Sequence, residues 1–190
     1  MADLKLNTTN GSITLKPENG TGNVDITIPR GGVGKVLQMK HKLLVDTSYI
    51  STVTTTPQII PDFELDITPK SSTSFIKIDI RWGGELSTAW DKGFGVSRNG
   101  VQINQPTANG ASNRILGAGC ITYYAGDDNN STPEYLSLST VDTPSTTNTL
   151  TYGLTISGSG SIYTGRMYNT STGWNFERFS CEIILTEIEQ

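Results

Sequence analysis

An all-β sandwich is the fold class this sequence predicts, and three observations predict it. Thr, Ser, Asn and Gly supply 78 of the 190 residues against six alanines. Such a chain is poor in helix formers and rich in β-branched and turn residues. Apolar residues recur at period two in short runs bounded by Gly, Pro and Asn. No window keeps apolar residues at i, i+3, i+4 and i+7 beyond one turn. A length of 190 residues suits one antiparallel sandwich with a short appendage.

Residues 1–35 read as the appendage. Ile13-Thr14-Leu15 and Val24-Asp25-Ile26-Thr27-Ile28 alternate across a turn-rich spacer, and Pro29-Arg30-Gly31-Gly32-Val33-Gly34 ends the segment. A piece below about 40 residues with so few apolar side chains does not enclose a core of its own. Ile13, Leu15, Val24, Ile26, Ile28 and Pro29 are therefore expected to dock on sister copies or on a partner protein.

Residues 36–190 read as about ten strands. Val36 to Val45 is the first, and Phe63, Leu65 and Ile67 alternate with acidic residues in the second. From Phe75 to Trp82, Ile76, Ile78, Ile80 and Trp82 share one face and charges take the other, the pattern of a half-buried strand. Phe94 to Ile103 carries Asn99-Gly100, the pair that suits a type I′ hairpin turn. Further runs are Ile115 to Tyr124, Tyr135 to Val141, Leu150 to Ile156, Ile162 to Tyr168 and Phe176 to Ile188. In the last, Phe179, Cys181, Ile183 and Leu185 are expected on one face and Ile184 and Ile188 on the other. An outer strand face that is apolar needs a second cover, and Ile184 and Ile188 are expected to meet a neighbouring subunit.

Chemistry is sparse. The formal net charge is −4 without a Lys/Arg cluster, so no nucleic-acid partner is expected. No run approaches about 18 apolar residues and Met1-Ala2-Asp3-Leu4-Lys5 has no signal-peptide core, so neither membrane insertion nor secretion by a cleaved signal is expected. Gly31-Gly32-Val33-Gly34-Lys35-Val36 fails as a phosphate loop, because the pattern's first glycine falls on Pro29 and no hydroxyl follows Lys35. His41 stands between two lysines and reads as an exposed structural histidine, and one His with two remote cysteines does not make a zinc site. Cys120 and Cys181 read as buried thiols, with a disulfide as the alternative. The Asp127-Asp128-Asn129-Asn130 loop reads as solvated and lacks the spacing of an EF-hand, although its oxygens suit calcium. Six Asn-x-Ser/Thr sequons follow from the composition and no glycosylation is read. Glycosidase carboxylates would have to come from Asp91, Glu85, Asp127 and Glu134. Trp90, Tyr123, Tyr124, Asp127 and Asp128 are the candidate exposed binding loops, since aromatic side chains beside polar turns suit a sugar or a partner protein. No catalytic residue, cofactor or metal is assigned.

The string from Gly11 to Arg30, Gly-Ser-Ile-Thr-Leu-Lys-Pro-Glu-Asn-Gly-Thr-Gly-Asn-Val-Asp-Ile-Thr-Ile-Pro-Arg, followed by Gly34-Lys-Val-Leu-Gln, resembles the N-terminal segment of small tail-fibre-like virion proteins of marine tailed phages. Ile67-Thr-Pro-Lys-Ser-Ser-Thr-Ser-Phe-Ile-Lys-Ile, Val96-Ser-Arg-Asn-Gly-Val and Glu177-Arg-Phe-Ser-Cys-Glu-Ile-Ile-Leu-Thr-Glu-Ile resemble the jelly-roll head of the same proteins, similar in outline to tumour-necrosis-factor-type trimers. The resemblance implies a non-enzymatic homotrimer on the virion. Residues 1–35 would form an intertwined β arm that binds other tail or capsid proteins, and residues 36–190 a head that adheres to a host glycan or protein. The absence of a long shaft also suits a head fibre or capsid decoration protein. A carbohydrate-active enzyme and a free lectin-like module are the competing classes.

Overall fold

Every strand pairing is antiparallel, as the composition predicts. The computed structural model describes residues 5–7, 12–15, 24–26, 34–87, 92–106, 117–119, 133–166 and 178–190, the first three ranges as backbone, and among them there is no helix. The chain divides into two compact units, Met1–Gly34 and Lys35–Gln190.

In the first unit β1 (Lys5–Asn7), β2 (Ser12–Leu15) and β3 (Val24–Ile26) form one sheet in the order β1-β2-β3. Leu6 is opposite Ile13, Ile13 opposite Ile26, and Leu15 opposite Val24. Residues two apart on a strand share a face, so this register assigns Leu6, Ile13, Leu15, Val24 and Ile26 to one face of the sheet.

The second unit holds β4 (Val36–Leu44), β5 (Ser48–Ile50), β6 (Gln58–Ile67), β7 (Phe75–Leu86), β8 (Gly93–Arg98), β9 (Val101–Ile103), β10 (Glu134–Asp142), β11 (Leu150–Ser157), β12 (Ile162–Thr164) and β13 (Cys181–Ile188). β7 organises one sheet. β13 runs beside its Phe75–Arg81 half and β12 beside Gly84–Leu86, while β10 takes the other edge. β4 and β5 complete this sheet outside β13 and β12. The second sheet has the order β6-β11-β8-β9. Both sheets contribute to one core, in which Ile76, Ile78, Ile80 and Trp82 of β7 and Ile183 and Leu185 of β13 join Phe63, Phe94, Val96, Tyr152 and Ile156. Trp82 is fully buried, its ring tilted against Phe94 at 5.1 Å between centroids, and its Nε1 donates to Thr164 Oγ1 at 3.0 Å. Next to it only glycine fits at position 84, because a Cβ there would overlap the Tyr163 carbonyl oxygen and the Trp82 ring.

Two carboxylates hold the edges of this core. The Tyr152 phenol donates to Asp142 Oδ2 at 2.6 Å, and Arg98 Nη1 donates to both Asp142 oxygens at 3.1 and 2.8 Å, which ties β8 and β11 to β10 of the other sheet. Burial and the neighbouring carboxylate push the Tyr152 hydroxyl far above its ordinary pKa. Glu187 is fully buried. Its Oε1 accepts from the Lys70 and Ser71 amides and the Ser74 hydroxyl, and its Oε2 from Gln38 Nε2. Burial alone would raise its pKa, but these donors outweigh it and hold the carboxyl below its usual value. Its contribution to stability is therefore complete above the unfolded-state pKa of about 4.3 and is lost as pH falls through the lower folded-state value. Glu187→Gln is expected to cost about 1–3 kcal/mol at neutral pH. Urea titrations at about pH 7 and about pH 3.5 should show the variant and the parent converging in acid.

The structure departs from the sequence reading at several places. β6 begins at Gln58 rather than near Phe63 and is interrupted at Pro61-Asp62, where Asp62 has φ 64° and the pairing with β11 shifts register. Proline cannot donate to the ladder, so the strand bulges there instead of ending. β5, three residues long, has too few residues for a periodic signal. The last strand starts at Cys181, so Phe179 leaves the alternation: its half-buried ring lies 3.4 Å from where a Cβ on Gly83 would stand. Cys181 is a buried free thiol bonded to the Gly83 backbone, and burial pushes its pKa up. The Asn99-Gly100 turn has the expected positive φ at both positions, 51° and 80°.

Candidate self-association face

The outer face of the β4-β13-β7-β10 sheet is where the second unit exposes its apolar surface. β13 is central in this sheet, and its inward residues Cys181, Ile183, Leu185 and Glu187 are all buried. The alternation therefore turns Glu182, Ile184, Thr186 and Ile188 outward. Pairing extends the outer face on both sides. Glu182 lies between Leu43 and Arg81, Ile184 between His41 and Asp79, Thr186 between Met39 and Lys77, and Ile188 between Val36 and Phe75. β10 adds Ser137, Ser139 and Val141 beside Arg81, Asp79 and Lys77, and Tyr135 beside Gly83.

β4 carries its polarity reversed. Gln38, the exposed Lys40 and Lys42 share the side of the buried Leu44, while Val36, Met39 and Leu43 face out. The inward polar groups are used to seal the gap to β6: Lys42 Nζ donates to the Asp62 and Glu64 carbonyls, and Gln38 Nε2 to Thr68 O. Exposure is 64% for Met39, 59% for Tyr135, 55% for Val36, 50% for Leu43 and 46% for Val141. Five of the eight large apolar side chains exposed among the described residues thus share one sheet face. Scattered exposed apolar residues need no explanation, but their concentration on one face makes it a candidate interaction surface.

Charges run down the middle of this face and cancel. Arg81 Nε pairs with Glu182 Oε1, whose other oxygen lies 3.2 Å from His41 Nε2, and Lys77 Nζ donates to Asp79 Oδ2 at 2.7 Å. Asp79 Oδ1 accepts from Ser139 Oγ at 2.7 Å. The hydrogen bond and charge of Arg81 hold Glu182 below the ordinary carboxylate range, and Glu182 raises Arg81 in return. Exposed ion pairs of this kind add little to the stability of the isolated fold. The four exposed charges Lys77, Asp79, Arg81 and Glu182 sum to zero, while Glu85, on the same side of β7, is fully buried.

Of the residues singled out in the sequence, Ile184 and Ile188 are half-buried on this face. Ile13 and Leu15 lie in β2, and Val24 and Ile26 in β3 of the first unit. Ile28, Pro29, Trp90, Asp91, Cys120, Tyr123, Tyr124, Asp127 and Asp128 lie outside the described residues. Glu85 and Glu134 do not form an acid pair: Glu134 is opposite Gly84, so it shares a face with Trp82, and Glu85, the next residue of β7, points to the other face. Glu134 Oε2 instead accepts from the Leu86 amide at 3.0 Å. Lys92 is buried, and desolvation lowers its pKa to about 8 against the opposing charge of Glu134. Among the described residues no three His, Cys, Asp or Glu side chains are placed to hold a metal ion.

Sequence reasoning missed Val36, Met39, Leu43, Tyr135 and Val141. The signal was present in the alternation of Gln38, Lys40 and Lys42, but which side of an edge strand faces the core depends on its pairing with β13, 149 residues away at Gln38 and Glu187. No protein-family model matches the sequence, and no curated protein matches it.

Proposed function

We propose that this chain is a non-enzymatic structural protein of a tailed-phage virion, a homotrimer in which residues 1–35 form the docking arm and residues 36–190 a jelly-roll head displayed for host-surface adhesion. The observation that carries the reading is the exposed apolar face of the β4-β13-β7-β10 sheet, which suits burial against sister copies. The strand orders β4-β13-β7-β10 and β6-β11-β8-β9 support the head: successive long strands fall alternately in the two sheets, the connectivity expected of a jelly roll. The first unit supports the arm. Its described strands pair in one sheet, and a segment below about 40 residues usually needs a partner to be stable. Three weakly binding heads on one appendage, repeated around a particle, give avidity far above a single affinity.

Deleting residues 1–35 is expected to leave the second unit folded, because that unit has its own core, and to abolish incorporation into particles. Immunogold labelling of particles with an antibody to the head checks this. Gold at the tail on parental particles, absent with the deletion, is the expected result. Gold over the capsid assigns the protein to shell decoration instead, and equal labelling with and without the arm overturns the docking role.

A further inference from the structure

We infer that the cleft between β4 and β6 binds a single sugar ring through its vicinal hydroxyls. The inference rests on the reading that residues 36–190 form an adhesive head, and it names the class of ligand and the place it binds. The cleft lies where the end of β4, the connection through Val45 and Asp46, the first residue of β5 and Asp62 of β6 come together. Its volume is about 220 Å³, the space of about seven water molecules at roughly 30 Å³ each. One pyranose ring fits such a space, and a longer chain does not. β6 bulges beside it at Pro61-Asp62, and a bulge re-aims the side chains it carries.

Four of the seven lining residues carry polar side chains, Lys42, Asp46, Ser48 and Asp62, so the cleft suits a ligand rich in hydrogen-bonding groups. The Ser48 hydroxyl oxygen is buried and has no hydrogen-bond partner. A buried hydroxyl left unpaired is costly, and a group entering the cleft would satisfy it. Lys42 Nζ donates to the Asp62 and Glu64 carbonyls, and an ammonium has a third proton to give. Among the described residues no cation pairs with the carboxylate of Asp46 or of Asp62. Carboxylates only accept and an ammonium only donates, whereas a hydroxyl does both. Neighbouring hydroxyls of a pyranose therefore match the set, one donating to a carboxylate and the next accepting from Lys42. Two carboxylates against one ammonium disfavour an anionic ligand, and the ammonium disfavours a divalent cation.

The test is titration calorimetry and saturation-transfer NMR of the full chain with the methyl pyranosides of glucose, galactose, mannose and N-acetylglucosamine, and with calcium chloride. At least one pyranoside is expected to bind. Asp62→Asn, whose amide tolerates the positive φ at this position, and Asp46→Asn should each weaken it at least about tenfold, because a charge-assisted hydrogen bond is lost. Asp66→Asn, on the same strand outside the cleft, should bind like the parent. Silence from all four sugars overturns the inference, as does binding that both cleft variants retain. Heat from calcium chloride alone overturns it in favour of a cation site. None of these results touches the adhesive reading, which is tested apart by adsorption of particles to cells in the presence of an antibody to the head. Adsorption that the antibody leaves unchanged defeats that reading, and with it the part of the cleft in adhesion.

Discussion

Replacing Trp82 with alanine is expected to lower the stability of the second unit by about 3–5 kcal/mol. The side chain is fully buried at the centre of β7, between the sheet it belongs to and Phe94 of the opposite sheet. Its removal loses the transfer free energy of an indole, opens a cavity in a close-packed interior and leaves the buried Thr164 hydroxyl without its donor. The surroundings cannot collapse into the space, because the Gly84 backbone and the Tyr163 carbonyl that border it belong to paired strands. Chemical denaturation would show the midpoint falling with the slope retained. A loss below about 1 kcal/mol would mean that the two sheets do not share one core.

The second large effect concerns assembly. Met39→Lys combined with Leu43→Lys is expected to weaken self-association by about a thousandfold or more, equivalent to about 4 kcal/mol, while the fold remains intact. Both native side chains are at least half exposed in the isolated chain, on an edge strand that tolerates lysine, and the ammonium introduced at position 43 would stand beside Glu182. In an oligomer that covers this face the ammonium at position 39 would be buried without a partner, and the one at position 43 against a carboxylate already engaged by Arg81. Ile184→Asp at the centre of the face should act in the same direction. Sedimentation at matched concentration reads the effect, and an oligomer that withstands both variants would place the contact elsewhere.

Much of the fold was legible because its signals are local. Alternation named the inward residues of β7 and β13, and Asn99-Gly100 named a hairpin. What was not legible depends on pairing between distant segments. Phe179 looked like a core residue until the strand was found to begin at Cys181. Nothing local marks Glu187, yet the turn at Lys70 and Ser71 folds over it with two amides and buries it. The reversed polarity of β4 has the same origin, since the side on which Lys42 lies is set by the β6 carbonyls of Asp62 and Glu64 that receive it.

Self-association through the outer sheet face is the claim on which the rest depends, and the mass of the full-length chain in solution at neutral pH tests it most directly. The account predicts a species of about 62 kDa, three copies of the 20.5 kDa chain. A species of 20.5 kDa that persists at micromolar concentration would contradict it.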